Sequence, residues 1–525
     1  HSLDADAAAA RRALSGGCST NRTPPSDATA VVVGCGIAGM RAAVELLHVP
    51  IPSREVVILE KEREVGGVWS LHANSYSRVN SSEPSYRVGA GTRTNHTPTH
   101  QMFESFKEFL CEHELTERVF ASCDVISIRR QSSEGGARWE VDVRREWEGA
   151  EKPEGFRTTC DIAVLCTNRR LGAPRAVPYV GEESFAGAIC RGLASDAERI
   201  TWKGDALIVG MGAFGLEHFR TALERGASRA TILCRRRGTV CPQVIDWVNY
   251  IRPVDADFNK RPSGSAQIQM AWAKTYQSSG AKPPECWKER PRLLKPDGHT
   301  VSTSDLFFVA HHTRVGATLL GEVGRVVSDG VITQDHGEAP GSKISCAVLI
   351  KCVGFELNAT NEHILGKSEF SAIGVVDENL WYVAEPHIDA GAFSLPFGSS
   401  YLNQAQFQMK LMAHAFRTPS CAQALFRLPR DSNVTRYTST EVFRAVTAAA
   451  HVDPSVGDML RDHVAETTRA FHASMPFDIY LDRNEVMWVE YHLLIYEKQG
   501  VKHTHYLPWL FREFGKLIAT ETEAY

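Results

Sequence analysis

Two stretches of the chain share one pattern of apolar and polar positions. In each, a short unbroken apolar run (residues 30–33 and 206–209) ends in a glycine-rich turn, and a segment with helical periodicity follows. A second apolar run, at residues 56–59 and 230–234 respectively, completes the pattern. An unbroken apolar run of this length is typical of a parallel strand that is buried on both faces. The chain is therefore predicted to contain two strand–helix–strand units.

Three glycines define the turn of each unit, with the spacing G-x-G-x-x-G. They are Gly34, Gly36 and Gly39 in the first unit, and Gly210, Gly212 and Gly215 in the second. The first glycine of such a turn permits a sharp bend, the second lets the backbone approach a pyrophosphate, and the third lets the helix pack closely on the strand. Amides at the helix N-terminus then face the phosphate charge. Because both turns lie between a strand and a helix, we predict two dinucleotide-binding sites of the Rossmann type.

The residue that follows the second strand of each unit predicts which nucleotide binds there. Glu60 lies 26 residues after Gly34, where a carboxylate binds ribose hydroxyls and would repel a 2′-phosphate, so the first unit suits FAD or NAD. In the second unit Arg235 and Arg236 take this place. Guanidinium groups bind phosphate in a bidentate way, which favours NADPH over NADH. The alternative is a solvated basic turn.

The same pattern divides the chain into domains of an α/β fold, in which an NADPH-binding domain is inserted into a discontinuous FAD-binding domain. In chain order the segments are a flexible N-terminal segment or transit remnant (1–29), the first part of the FAD-binding domain (30–170), the NADPH-binding domain (171–345), the return of the FAD-binding domain (346–420) and a helical C-terminal extension (421–525). Residues 253–300 carry many Pro, Lys and Gly residues and predict a loop-rich insertion. Alternating positions near 123–145 predict an antiparallel layer on the first unit.

Composition limits the classes of partner. The 525 residues are 43% hydrophobic and 23% charged, with a net charge of -4, which is typical of a soluble globular protein and predicts no nucleic-acid partner. The longest apolar runs are too short to cross a bilayer. The 13 cysteines are scattered, without a C-x-x-C pair, and there is no H-E-x-x-H motif. We therefore expect no disulfide framework, no metal site and a reducing intracellular compartment, either the cytoplasm or an organelle such as the mitochondrion.

A short element after Glu60 and Lys61 points to a family. Gly67 and Trp69 belong to a Gly-Gly-Val-Trp sequence at residues 66–69. It resembles the G-G-x-W element of flavin-containing monooxygenases and Baeyer–Villiger monooxygenases, which follows the ribose-binding acid and lines the flavin. The resemblance extends over roughly residues 29–420. It implies that Glu60, Lys61, Gly67 and Trp69 contact FAD.

A second point of resemblance lies at Asn80, which looks like an asparagine that the family places near the flavin. The resemblance implies that its amide supports the oxygenated flavin and makes Asn80 the catalytic candidate. An asparagine with a structural role in a turn is the alternative. The strand that ends at residues 351–355 is similar to the closing A-T-G-Y element of the family.

Two positions depart from the family pattern. Arg191 stands where the F-x-G-x-x-x-H fingerprint ends in histidine, and Asn168 replaces a glycine at the first crossing between the domains. An arginine cannot become neutral at physiological pH, whereas a histidine can. We therefore expect a short-lived oxygenated flavin and loss of reducing equivalents as hydrogen peroxide.

The resemblance implies an FAD- and NADPH-dependent oxidoreductase, most simply a monooxygenase. NADPH would reduce FAD, and a C4a-(hydro)peroxyflavin formed with dioxygen would oxygenate a small organic substrate. Two alternatives stay open: a flavin oxidase without oxygen transfer, and a catalytically silent structural or assembly subunit that meets a protein partner through residues 421–525. A disulfide reductase is set aside, because the chain lacks a close cysteine pair.

Overall fold

The structure is a computed structural model. It describes residues 3–18, 22–49, 55–80, 97–131, 138–145, 153–168, 171–242, 265–285, 302–371, 374–383, 401–427, 430–431, 448–459 and 462.

Twenty strands are present in the described part of the chain. In chain order they are β1 Asp27–Val33, β2 Val56–Leu59, β3 Val119–Phe120, β4 Cys123–Gln131, β5 Arg138–Arg145, β6 Glu154–Leu165, β7 Ala188–Cys190, β8 Asp205–Val209, β9 Arg229–Cys234, β10 Val240–Cys241, β11 Ser302–Thr303, β12 Gly316–Leu320, β13 Val323–Val327, β14 Gly330–Thr333, β15 Lys343–Ser345, β16 Val348–Lys351, β17 Phe370–Ser371, β18 Val375–Asp377, β19 Leu380–Tyr382 and β20 Arg430–Asp431.

The described α-helices are numbered in the same way. They are α1 Leu3–Ser15, α2 Ile37–Leu47, α3 Val68–Leu71, α4 Thr99–Glu112, α5 Ala194–Ala197, α6 Ala213–Glu224, α7 Ser265–Ser279, α8 Asp305–His312, α9 Thr360–Leu365, α10 Tyr401–Arg417 and α11 Pro419–Phe426.

The first sheet carries the first glycine turn. Its strand order is β18-β19-β6-β1-β2-β3, and β5 joins β4 to β6 at one end in antiparallel pairing. Strand β1 lies between β2 and β6, with Val32 opposite Ile58 on one side and Val164 on the other. All but the first residue of β1 are buried. The predicted antiparallel layer near residues 123–145 is therefore present as β4 and β5.

The second sheet carries the second glycine turn. It is parallel throughout, in the order β12-β9-β8-β16-β7. Strand β8 is the central strand, and helix α6 follows it directly along the chain. Strand β16 pairs with β8 from Val348 to Lys351. These residues, expected at the start of the returning FAD-binding domain, therefore belong to the second sheet. Two parallel-sheet units, each with a turn at the carboxyl end of a central strand, confirm the predicted α/β fold.

The expectation of a flexible N-terminal segment is wrong for residues 3–15. They form helix α1, which packs on α4, with Ala7, Ala10 and Leu14 buried. The side chain of Arg11 lies over the ring of Phe103 at 5.2 Å. The buried positions recur at intervals of three and four residues, which puts them on one helix face.

The loop-rich insertion also contains a helix. Helix α7 lies within residues 253–300, and its Trp272 and Tyr276 are buried. The rest of that insertion, apart from residues 280–285, lies outside the described residues. In the C-terminal extension α11 and residues 448–452 and 455–459 are helical, which agrees with the prediction. Among the described residues, no helix is both long and apolar enough to span a bilayer.

Candidate functional site

The first glycine of each turn has a backbone conformation that side chains disfavour. Gly34 has a φ of 99° and Gly210 a φ of 105°. A Cβ at Gly34 would lie 2.9 Å from the carbonyl oxygen of Cys166, and one at Gly210 would lie 2.2 Å from that of Cys352. Glycine is therefore required at both positions by conformation and by space. The two turns are built in the same way, each against a cysteine at the end of a neighbouring strand.

The third glycine of each turn brings the helix onto the strand. A Cβ at Gly39 would lie 1.9 Å from the carbonyl oxygen of Gly34, and one at Gly215 would lie 2.2 Å from that of Gly210. Real Cβ atoms do not come this close to an oxygen. The hydrogen side chain at these positions is what lets α2 and α6 begin directly beside the strand ends.

The second glycine of each turn leaves open space in front of the helix. Gly36 and Gly212 are the N-cap residues of α2 and α6, and both have extended backbone. A Cβ at Gly212 would meet no described atom within 4 Å, and one at Gly36 would have the Cα of Gly67 at 3.5 Å as its nearest neighbour. The unpaired amides of each helix N-terminus can therefore be approached by an anion.

The Gly-Gly-Val-Trp element packs directly against the first turn. The amide of Gly66 donates a hydrogen bond to the carbonyl oxygen of Cys35 at 3.0 Å. Gly67 has a φ of 58°, and a Cβ there would lie 3.0 Å from the Cα of Gly36. Trp69 is buried in the hydrophobic core and is not among the described residues that line the cavity described below. The element thus shapes the turn through its glycines.

Glu60 lies at the carboxyl end of β2 and contacts the first turn. Its carboxylate accepts hydrogen bonds from the amide of Cys35 at 2.7 Å and from that of Glu62 at 2.9 Å. Burial raises the pKa of Glu60, although these backbone hydrogen bonds act in the opposite direction. Lys61, the next residue, is exposed. The carboxylate is held where the sequence predicted a ribose-binding acid.

A cavity of about 450 Å³ joins these features. Its lining residues include Gly34, Gly36, Glu60, Lys61, Gly67, Val68, His72, Cys166, Thr167, Asn168, Asn358 and Thr360. The first glycine turn, the acid at the end of β2 and the glycine pair therefore face one space. Asn168, at the position where the family has glycine, lies on the same wall.

The arginines after β9 divide into two groups. Arg235 and Arg236 are exposed at the carboxyl end of the strand, as the sequence predicted. Arg237 is buried, and its guanidinium forms ion pairs with Glu285 and, at 2.5 Å, with Glu338. A buried guanidinium needs such partners. Arg237 is therefore structural, and two of the three basic residues lie at the surface.

Asn80 makes its contacts with the second unit. Its amide oxygen accepts a hydrogen bond from the amide of Thr303 at 3.1 Å, and its Nδ2 donates to the Oγ of Ser302 at 3.3 Å. It is not among the described residues that line the 450 Å³ cavity. These contacts fit the structural alternative, and the catalytic role of Asn80 stays a prediction.

The segment in which Arg191 replaces the histidine of the family fingerprint lies beside His218, which the sequence analysis did not single out. Arg191 is exposed, and its amide donates to Asp196 at 2.7 Å. The next residue, Gly192, has a φ of 74°, and a Cβ there would lie 2.4 Å from the ring of His218. Burial lowers the pKa of His218 to about 3, so this imidazole is neutral at physiological pH. The burial of His218 depends on tertiary packing and could not be predicted from the local sequence.

Buried charged groups join the two units. On α6, Glu217 accepts a hydrogen bond from Ser77 of the first unit, and burial raises the pKa of Glu217. Glu224, at the end of the same helix, pairs with Arg78 at 3.7 Å. Arg225 pairs with Asp4 of α1 at 2.8 Å. Because Arg78, Glu224 and Arg225 are largely removed from water, separating the units would leave these charges unpaired.

Three aromatic rings also meet between the two turns. Phe214, inside the second glycine turn, lies 4.9 Å from Phe355, and His72 lies 5.1 Å from Phe355. His72 also lines the 450 Å³ cavity, and burial lowers its pKa. The ring cluster is thus the direct contact between the first cavity and the second turn.

Known proteins resemble the chain in sequence and in fold. A family model described as an NAD(P)-binding Rossmann-like domain matches residues 32–109. An FAD-binding monooxygenase of Aspergillus niger, ktnD, is 27% identical over 173 residues, which are 31% of this chain and 27% of that protein. The chain therefore aligns with only about a quarter of that relative's length.

Solved structures extend the likeness over most of the chain. The open crystal structure of cyclohexanone monooxygenase matches with a TM-score of 0.54 and 14% identity, over 82% of this chain and 98% of that one. The OTEMO complex with FAD and NADP matches with a TM-score of 0.53 and 15% identity, over 82% and 92%. At this identity the likeness concerns the fold. The resemblance to flavin-dependent monooxygenases and the α/β fold with two Rossmann-type units are confirmed.

The close approach at Gly39 predicts a large effect of one methyl group. Gly39→Ala should lower the free energy of unfolding by about 2–3 kcal/mol or prevent folding, because α2 must move away from β1. Gly155→Ala is the matched control, since a Cβ there meets no described atom within 4 Å. Urea denaturation followed by tryptophan fluorescence measures both. Equal stability of the two variants would contradict the packing argument.

Proposed function

We propose that the chain is an FAD- and NADPH-dependent monooxygenase that acts on a small organic substrate. The observation that carries the proposal is the pair of glycine turns, which present open helix N-termini and differ in the charge at the end of the following strand. Glu60 lies at the first site, and Arg235 and Arg236 lie at the second. The names of the similar proteins, an FAD-binding monooxygenase and the OTEMO complex with FAD and NADP, support the same assignment.

The residues of the first site fit FAD. Gly36 offers a backbone surface without a side chain in front of α2, where a pyrophosphate would lie. Glu60 would turn from the amide of Cys35 toward the ribose hydroxyls, with Lys61 beside it. The cavity of about 450 Å³ extends from this acid past Gly67 to Asn168. In this proposal Trp69 acts from the core, by holding the glycine pair in place.

The residues of the second site fit NADPH. Gly212 is open in front of α6, and Gly210 and Gly215 hold that opening in shape. The exposed guanidinium groups of Arg235 and Arg236 would bind the 2′-phosphate, which distinguishes NADPH from NADH.

The protein's own contribution is to hold the two sites in a fixed relation. When bound, FAD supplies the redox chemistry with NADPH as reductant and dioxygen as oxidant. The Arg225–Asp4 and Arg78–Glu224 pairs fix α6 against the first unit. The His72–Phe355–Phe214 rings form a second contact between the sites. The described cysteines are free thiols, which supports the proposal of a reducing intracellular compartment.

A second candidate is a flavin oxidase that transfers no oxygen to a substrate. The position of Asn80 favours it, because its amide contacts Ser302 and Thr303 and not the cavity. The two candidates share both cofactors and differ in whether oxygen from dioxygen enters an organic product.

Substitution of the second glycine by valine should remove a different cofactor at each turn. Gly36→Val would place a branched side chain in the path of the FAD pyrophosphate, so the purified variant should lack flavin. Gly212→Val is the matched variant of the second turn, and it should keep flavin but lose NADPH binding. Flavin absorbance of the purified proteins and NADPH titration by calorimetry measure the two properties. Stoichiometric flavin in Gly36→Val would contradict the assignment of the first turn.

Nucleotide preference should depend on Arg235. Removing one charge-assisted contact to the 2′-phosphate costs roughly 1.5–3 kcal/mol, so Arg235→Gln should weaken NADPH binding by about ten- to a hundredfold and leave NADH nearly unchanged. Arg325→Gln, an exposed arginine on β13 of the same unit, is the control. Rates of flavin reduction at varied nucleotide concentration measure the effect. An equal loss for both nucleotides would exclude the proposed role.

A further inference from the structure

Three side chains that can bind a metal ion converge outside both glycine turns. His414 comes from α10, Cys421 from α11, and Asp453 from the short connection between residues 448–452 and 455–459. The imidazole, thiol and carboxylate ligand atoms all lie within 4.8 Å of one another. Cys421 is fully buried, and only 16% of the His414 side chain and 13% of the Asp453 side chain are exposed. The set thus combines three elements of the C-terminal region at one point.

The Nε2 atom of His414 has more acceptors around it than it can satisfy. It lies 2.8 Å from the Oδ2 of Asp453 and 2.9 Å from the Oγ of Ser455. The hydroxyl of Ser455 donates to the Oδ1 of Asp453 at 2.7 Å, so its oxygen is also turned toward the imidazole as an acceptor. A neutral imidazole has one N–H for these two oxygens. A cation at this point would instead be contacted by every one of these atoms.

The local charge also favours a cation. The carboxylate of Asp453 lies within 4.8 Å of the thiol of Cys421, and little of either side chain is exposed. Cys421 lies in the first turn of α11, where the N-terminus of the helix stabilises a thiolate. A bound divalent ion would compensate both negative groups.

We propose that His414, Cys421 and Asp453 form a binding site for a divalent transition metal of the zinc class. Thiolate, imidazole and carboxylate are the ligands that zinc prefers, and three protein ligands leave a fourth position for water or the Ser455 hydroxyl. On binding, the thiol of Cys421 loses its proton to solvent and its sulfur coordinates the ion.

The site would stabilise the region that supports the first glycine turn. Helix α10, which carries His414, packs against α2, the helix that begins at Gly36. A metal that joins α10, α11 and Asp453 would hold this supporting helix in place. The proposal does not depend on flavin chemistry, because its ligands are separate from the cavity that Glu60 lines.

The sequence predicts no metal site because the three ligands are far apart along the chain. His414 and Cys421 are seven residues apart, and Asp453 follows 32 residues later. Local motifs detect ligands that share one helix or one short turn. Here the third ligand reaches the site only through tertiary packing.

Titration of the full chain with Co²⁺ tests the proposal, after removal of bound metal with a chelator. We expect one Co²⁺ per chain, a thiolate-to-cobalt charge-transfer band in the near ultraviolet, and loss of that band when Zn²⁺ is added. Cys421→Ser should abolish the band and lower the affinity at least about tenfold, since it removes the soft ligand. Cys111→Ser, which changes an exposed thiol on α4, should leave both unchanged.

A second variant separates metal binding from a folding defect. Asp453→Asn keeps a side-chain oxygen for the hydrogen bond from the amide of Ser455, but it removes the negative charge. We expect it to keep the helical circular dichroism of the unmodified chain and to bind Co²⁺ at least about tenfold more weakly. The proposal would be overturned by an unmodified chain without the charge-transfer band, by a band that persists in Cys421→Ser, or by a band lost in Cys111→Ser. Flavin content is measured in parallel, so a failure of the FAD assignment is visible separately.

Discussion

At both turns a helix starts so close to the end of a strand that no side chain fits between them. The limit is steric: a single Cβ at Gly39 or Gly215 would stand about 2 Å from a carbonyl oxygen. Because the helices begin there, their unpaired amides lie at the carboxyl ends of the central strands, in front of Gly36 and Gly212. Phosphate-binding surfaces then follow from backbone alone. The acid or the arginine that ends the next strand is placed by the same geometry, and we propose that the choice of nucleotide depends on it.

The second requirement is that the two sites keep a fixed relation. A buried set of charges and hydrogen bonds provides it, in which α6 of the second unit meets residues 75–78 of the first. Asp4 of α1 takes part through Arg225, so the N-terminal helix contributes to the contact between the nucleotide units. The ring of Tyr76 lies 4.4 Å from the same guanidinium. Pairs of this kind contribute little net stability, but breaking one is costly. They therefore determine orientation more than they increase stability.

The strands of the two strand–helix–strand units, both glycine turns and the ends of β2 and β9 could be predicted from the sequence, because each depends on residues close to it along the chain. The features that could not be predicted depend on distant partners. Arg237 follows two exposed arginines along the chain, and only the packed structure brings Glu285 and Glu338 beside it. The amide of Asn80 contacts Ser302 and Thr303, and its role near the flavin stays a prediction. The burial of His218 beside the fingerprint likewise requires the packed α6. The local sequence pattern thus identifies the two glycine turns, and tertiary packing determines which nearby polar groups lie close to them.

The central claim is that NADPH bound at the second glycine turn reduces FAD bound at the first. Anaerobic titration of the full chain with NADPH, after incubation with FAD and removal of the excess, tests it most directly through the visible flavin absorbance. The account predicts a yellow protein with one flavin per chain, whose absorbance is bleached by one equivalent of NADPH and much more slowly by NADH. A chain that stays colourless after incubation with FAD, or one whose bound flavin NADPH does not reduce, would contradict it.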